Sequence, residues 1–261
     1  MGTMMRWLIA LMVMVSTVNV AANSFLYDTL KMAGGVREMG MGNAFIAVAE
    51  ESSALFVNPA GLANDGSFIN YELMDYDKAI DSTFEQFSFS TGMFGYGHIR
   101  RNSLAGDSAK VAYYGIARQG KNGVDWGLTY KTVESSTNDQ SFSSYTLDVG
   151  VLMHVTPRLN WGVVGKDILK RDLGIDPTFS TGLAWSDQNR NILIAGDVVQ
   201  RHVDDDAYVF SRFGLEYRLT DGFFVRLGSE RDYGTFGVSL GFPFATVDYA
   251  MKHHLRHDEQ G

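Results

Sequence analysis

From Ser67 onward the sequence alternates between apolar and polar residues with a period of two. Between residues 145 and 155 almost every second side chain is apolar, and the intervening positions are polar or small, with Leu152 as the exception. Such alternation is typical of a strand whose two faces differ in chemistry. About thirteen segments follow this pattern, and many are joined by short turns such as Thr220-Asp221-Gly222. Short turns between consecutive strands make antiparallel hairpins, so we predict an all-β fold.

The two faces of these strands separate a membrane barrel from a soluble β-sandwich. One face is rich in Phe, Tyr, Trp and Val, whereas the other carries glycine in strand after strand together with charges of both signs. Glycine suits an interior in which chain segments approach closely. Strands of about 9–11 residues match a tilted bilayer crossing, and closure pairs every backbone group in lipid. We therefore predict an antiparallel transmembrane β-barrel of about 12–14 strands, with the sandwich as the alternative.

The polar face is predicted to line the barrel lumen. Its charged side chains, which we expect to pair with one another across the lumen, are Asp148, Lys166, Arg212, Glu216, Arg226 and Glu230.

The first residues have the features of an export signal. Arg6 precedes an apolar run from Trp7 to Val15, and small residues follow as far as Ala22. A positive start, a short hydrophobic core and a small-residue end are typical of a cleaved signal peptide. A membrane-spanning helix needs about 20 apolar residues, so an uncleaved anchor is the weaker alternative. We expect residues 1–22 to be removed during export to the bacterial outer membrane.

The composition excludes some partners. The chain has no cysteine, so an exported form depends on hydrogen-bonded architecture and not on disulfides. The formal net charge is −8 and no basic stripe is present, which excludes nucleic acid as a partner.

The motifs that would carry chemistry are weak. Gly40-Met41-Gly42-Asn43-Ala44 imitates a dinucleotide-binding turn, but no strand precedes it. The histidines near residues 253–257 have metal-like spacing without a carboxylate or cysteine frame. Asp204-Asp205-Asp206 is at most a weak calcium loop. A lipid acyl hydrolase needs a serine–histidine pair, and no Gly-x-Ser-x-Gly elbow is present. We expect no catalysis, no cofactor and no metal.

The segment before the first strand carries the most specific motifs. The sequence GVREMGMGNAF at residues 35–45, with Ala47-Val48-Ala49 and Asn58-Pro59-Ala60-Gly61-Leu62, resembles the opening of PorV/PorQ-type outer-membrane proteins. These are relatives of the FadL long-chain fatty-acid transporters. Weaker matches occur at residues 213–217 and 225–228. The resemblance implies a barrel of about fourteen strands whose N-terminal segment, here residues 23–66, enters the lumen as a plug or hatch. The hatch motif comprises Gly40, Gly42, Asn58, Pro59 and Ala60.

The resemblance implies two kinds of function. In the FadL branch, hydrophobic molecules pass beside the hatch and leave through a gap in the wall. In the PorV branch, the barrel serves protein secretion or surface attachment. We expect binding or passive transport of a fatty-acid-like small molecule by a barrel surrounded by outer-membrane lipid. The alternative is a PorV-type barrel whose partner is a secreted protein.

The remaining expectations concern boundaries. Residues 67–252 would form the barrel and residues 253–261 a polar tail, and the longest polar connections are predicted near 134–143 and 201–207. Clustered glycine in a strand marks either a kink or a tight turn. A kink would open the wall laterally, whereas a turn would simply join two short strands. The glycines concerned are Gly92, Gly95 and Gly97.

Overall fold

A single antiparallel sheet of 13 strands contains most of the regular structure. The computed structural model describes residues 25–64, 66–76, 82–137, 140–169, 175–203 and 206–255. The predicted signal peptide, Asp204, Asp205 and His257 lie outside these described residues. The soluble sandwich is wrong, because all the strands belong to one sheet and the apolar side chains do not meet between two sheets.

The strands lie in chain order, each paired with the next. They are β1 (Ser67–Tyr76), β2 (Ser82–Thr91), β3 (Phe94–Ser103), β4 (Ser108–Arg118), β5 (Val124–Thr137), β6 (Gln140–Thr156), β7 (Leu159–Lys166), β8 (Thr178–Ser186), β9 (Ile192–Val203), β10 (Asp206–Thr220), β11 (Phe223–Glu230), β12 (Tyr233–Phe242) and β13 (Ala245–His254).

The prediction of two long polar connections is wrong. Strands β5 and β6 extend through the expected connection at 134–143, and β9 and β10 extend through that at 201–207. The reason is that hydrogen-bonded pairing continues where both faces are polar, as at Ser135 and Ser136. The last strand likewise continues to His254, past the predicted end of the barrel at residue 252.

We name the two ends of the sheet by their turns. The turn end carries residues 157–158, 221–222 and 243–244, and the loop end carries residues 104–107 and 231–232. Strand order begins at β1 and stops at β13, and no pairing joins these two edges in the part of the chain that is described.

Residues 25–64, here called the N-terminal segment, contain short helical pieces. They are α1 (25–32), α2 (Val36–Gly40), α3 (Ala54–Val57) and a 3-10 helix (Pro59–Ala63). The last begins where Asn58 accepts a hydrogen bond from the Ala60 amide, with Pro59 at a helix start, where its missing N–H is not needed. Among the described residues, no helix is both long and apolar enough to span a bilayer.

The two faces of the sheet lie in opposite environments. The inner face packs against the N-terminal segment and buries polar groups such as Asp148, Glu216 and Arg226. The outer face exposes large apolar side chains, including Leu183 and Phe213. The core therefore lies between the inner face and the N-terminal segment. Its largest buried apolar side chains include Leu26, Phe45, Ile46, Leu55, Phe56, Phe84, Ile99 and Tyr113.

Candidate functional site

Glycines on the inner face admit the backbone of the N-terminal segment. A β-carbon at Gly127 would overlap the carbonyl group of Pro59, and one at Gly228 would overlap the amide of Gly42. Since such overlaps cannot be relieved by rotating a side chain, only glycine fits at these positions. The inner-face glycines that lie against the segment are Gly95, Gly97, Gly115, Gly127, Gly150, Gly162, Gly214, Gly228 and Gly237.

The predicted hatch motif lies at these contacts. Gly40 packs against Gly237, and Gly42 packs against β10 and β11 with a positive φ of 63°. Asn58 is fully buried, and its Nδ2 donates to the carbonyl oxygens of Ile46 at 2.9 Å and Val151 at 3.2 Å. This side chain thus joins two parts of the segment to β6.

Asp197 is a site residue that the sequence analysis missed. Its carboxylate lies on the inner face of β9 and accepts hydrogen bonds from the amides of Phe45 at 2.8 Å and Ile46 at 3.1 Å. The available signal was an acidic residue at an alternating inner position. That signal could not identify the distant backbone amides to which the carboxylate binds.

The charges near the turn end form one network. Glu216 accepts from Arg37 at 2.8 and 2.9 Å and from Arg226 at 2.6 Å. Arg226 also contacts Asp248 at 3.1 Å. Arg37 further reaches Glu50 and its neighbour Glu51, at 3.3 and 3.2 Å. The structure therefore brings together Glu216 and Arg226, two of the charged residues named from the sequence, and it adds Arg37 of the N-terminal segment, which the sequence analysis had not singled out.

A second cluster surrounds Glu230. This carboxylate contacts Arg212 at 2.7 Å, Lys252 at 2.8 Å and the amide group of Asn43 at 2.9 Å. Arg212 and Glu230, both named from the sequence as charged inner-face residues, thus form an ion pair, and Asn43 attaches the N-terminal segment to it.

The third cluster lies around a buried lysine. Lys131 contacts Asp148 at 2.7 Å and Asp167 at 2.6 Å. Lys166 does not pair with Asp148 by an ion-pair contact; its ammonium group instead donates to the Phe56 carbonyl oxygen. Lys131 and Asp167 were missed because their partners are distant in sequence.

The glycine cluster near β3 has two different environments. Gly92 lies in the turn between β2 and β3 with a φ of 54°. Pairing of β3 with both neighbours continues without a register shift through Gly95 and Gly97. These two glycines face Leu55, Leu62 and Phe56 of the N-terminal segment. A lateral opening at this point stays a prediction.

A cavity of about 800 Å³ lies between the N-terminal segment and the sheet at the turn end. We call it the turn-end cavity. Its lining is largely polar, and the apolar part includes Phe68, Phe224 and Phe244. The charged part includes Arg37, Glu50, Arg190, Glu216, Arg218 and Arg226. The cavity is therefore suited to a molecule with both an ionic and an apolar portion.

The hydrolase alternative required a histidine beside a serine. The His154 ring contacts Asp125 and Asn160, each at 3.0 Å. The His98 ring packs against Phe87 and Tyr96.

Comparison with known proteins identifies a weak structural similarity but no family. No protein-family model matches the chain, and no curated protein matches it. A solved structure of a KdgM porin superposes with a TM-score of 0.46 and 13% identity, over 67% of this chain and 98% of that one. The relationship to PorV/PorQ or FadL proteins therefore stays a prediction.

We predict that Gly127→Ala loosens the N-terminal segment. The new methyl group would displace Pro59, and overpacking costs about 1–3 kcal/mol. Proteolysis within residues 25–64 should accelerate by roughly tenfold, because cleavage follows the open population. The control is Gly196→Ala, whose β-carbon would meet only ordinary contacts with Phe213 and the Arg212 carbonyl oxygen. Equal protease resistance of both variants would show that the close approach is unimportant.

We also predict that Glu216→Gln destabilises the protein. Removing a shared buried carboxylate leaves Arg37 and Arg226 undercompensated, at a cost of about 3 kcal/mol. Urea unfolding in micelles would measure the loss. Asp221→Asn removes an exposed partner of Arg218 and should change nothing measurable. A loss no larger than that of this control would contradict a structural role for the network.

Proposed function

We propose that the protein is an outer-membrane β-barrel whose lumen is closed by the N-terminal segment acting as a hatch. It binds or passively conducts a small molecule and makes or breaks no bond. The observation that carries this proposal is the inverted arrangement of the sheet. Apolar side chains are exposed on the outer face, while glycines and paired charges hold the segment against the inner face.

A bilayer would accommodate this arrangement. Bulky apolar groups on the outer face meet hydrocarbon favourably, while most strands, with 9 to 17 residues, reach or exceed the span of about 9–11 residues that a crossing needs. Lipid also requires that backbone groups be paired, so β1 and β13 must close the ring in the membrane, directly or through another strand.

The turn-end cavity supports an amphipathic ligand with an anionic head. Its volume of about 800 Å³ falls within the range of small-molecule pockets. Arginines would hold a carboxylate, since guanidinium and carboxylate groups make strong charge-assisted hydrogen bonds. The aromatic lining would contact an apolar tail. A fatty-acid-like molecule meets both requirements.

Release of the hatch would be the gating step. The hatch is held by backbone contacts at glycine and by ion pairs, and not by a covalent link. Small movements that separate Arg37 from Glu216 would enlarge the path beside the segment. Passive flux then depends on how often the hatch is displaced.

The second candidate is a PorV-type role in protein secretion or surface attachment. It is favoured by the extent to which the N-terminal segment and its ion pairs fill the inner side of the sheet. In that role the barrel would present a surface to a secreted protein, and hatch movement would not be needed.

A reversible crosslink tests gating. Ser52 of the segment and Ser88 of β2 have their hydroxyl oxygens 2.9 Å apart, and the chain has no competing cysteine. We expect oxidised Ser52→Cys/Ser88→Cys protein in liposomes to lose fatty-acid flux and to regain it on reduction. Each single variant serves as the control. Undiminished flux with the disulfide formed would favour the secretion role.

Lipid exposure is tested by one outer-face arginine. Leu183 of β8 is 53% exposed, and Leu183→Arg should cost about 2–4 kcal/mol of folding free energy in a bilayer. Ala105→Arg, in the exposed turn between β3 and β4, should cost almost nothing. Equal stability of the two variants in lipid vesicles would argue against a membrane-facing outer surface.

A further inference from the structure

A second, smaller cavity lies toward the loop end of the inner face. Its volume is about 60 Å³, and it shares no lining residue with the turn-end cavity. Helix α1 contributes Tyr27 and Lys31, and α2 contributes Glu38. The wall contributes Arg201 from β9 and Arg212 from β10. We call this space the loop-end cavity.

The charged groups of this cavity that lack a close partner of opposite sign are mainly positive. Arg212 is bound by Glu230 at 2.7 Å. In the described part of the chain, the acidic group within ion-pair distance of Lys31 is Asp28, at 3.8 Å, which is too long for a hydrogen bond, and the ammonium also lies 3.4 Å from the centre of the Tyr27 ring. Among the described residues, no ion pair involves Arg201. Lys31 and Arg201 therefore face the same space without adequate counter-charge.

The remaining lining charges do not change this balance. Asp167 is bound to Lys131 at 2.6 Å, and Lys166 donates to the Phe56 carbonyl oxygen. Burial raises the pKa of the Glu38 carboxyl, which favours its neutral form. Burial first, and then the nearby Arg201, lower the pKa of Lys31 to about 8, as expected for crowded cations.

Within the described ranges, three buried polar atoms that belong to lining residues have no hydrogen-bond partner. They are the Tyr27 hydroxyl, Glu38 Oε1 and Arg201 Nε. A buried polar group without a partner costs about 1–3 kcal/mol, so such groups are few in native proteins. Their presence around one cavity indicates that a polar occupant completes it.

We propose that the loop-end cavity binds a small oxyanion of the phosphate type through Lys31, Arg201 and the Tyr27 hydroxyl. A volume of about 60 Å³ accommodates one such group and excludes an acyl chain. Donors that approach from two separate elements suit an anion with several oxygens better than a single bidentate carboxylate. The source is either free phosphate or the phosphate of a lipid headgroup.

The bound anion would join α1 of the segment to β9 of the wall. Anion binding therefore stabilises the docked segment, because a ligand that binds only one state favours that state. This inference depends on the docked arrangement of α1 and not on transport. Loss of fatty-acid flux in the crosslinked protein has no bearing on it.

The experiment titrates inorganic phosphate into the full chain in nonionic detergent by calorimetry. Saturable binding is expected, and Lys31→Met and Arg201→Met should each weaken it by roughly tenfold or more. Lys31→Arg should restore most of the affinity, which separates loss of charge from loss of folding. The matched control is Lys121→Met, in the exposed turn between β4 and β5 and outside both cavities, which should leave phosphate affinity unchanged.

A second arm uses short-chain phosphatidic acid as the probe. Binding of inorganic phosphate that is lost in both variants supports a free oxyanion. Binding of phosphatidic acid alone, lost in the same variants, supports a lipid headgroup as the source of the same chemistry. Failure of both probes to bind, or equal weakening by Lys121→Met, overturns the proposal.

Discussion

Backbone contact between the N-terminal segment and the glycines of the inner face is the constraint on which the rest of the structure depends. Where Gly127 meets Pro59 and Gly228 meets Gly42, there is no room for a side chain. The segment is therefore held at fixed heights along several strands. Because it supplies the apolar core on the inner side, the bulky residues of the alternate positions are left to face outward. The orientation of the whole sheet follows from this contact.

Charge then determines how the segment is held. Glu216, Arg37 and Arg226 lie mostly out of water, where an unpaired charge is costly. Such pairs add little net stability, because each partner loses hydration on burial, whereas removing one partner is costly. The segment is fixed to the inner face by these ion pairs and by amide contacts with Asp197. Under the proposed function, gating would require these contacts to separate.

Much of the fold could be predicted because the strand signal is local. The alternation along β6 and the glycine at Gly150 each depend only on neighbouring positions, and both the strands and their faces follow from them. The polar stretch near Ser135 was assigned to a connection because alternation vanishes when both faces are polar, although pairing continues. Arg37, Lys131 and Asp197 were missed for another reason. Their roles depend on partners far along the chain, which no single-sequence pattern identifies.

The most direct test of the account is a measurement of which methyl groups touch lipid. Selectively methyl-labelled protein in nanodiscs would be examined for nuclear Overhauser effects from the lipid acyl chains. The account predicts strong effects at outer-face Leu183 and Leu215, and none at Leu55 and Leu62, which are buried between segment and wall. Strong lipid contacts at Leu55 or Leu62, with none at Leu183, would contradict it.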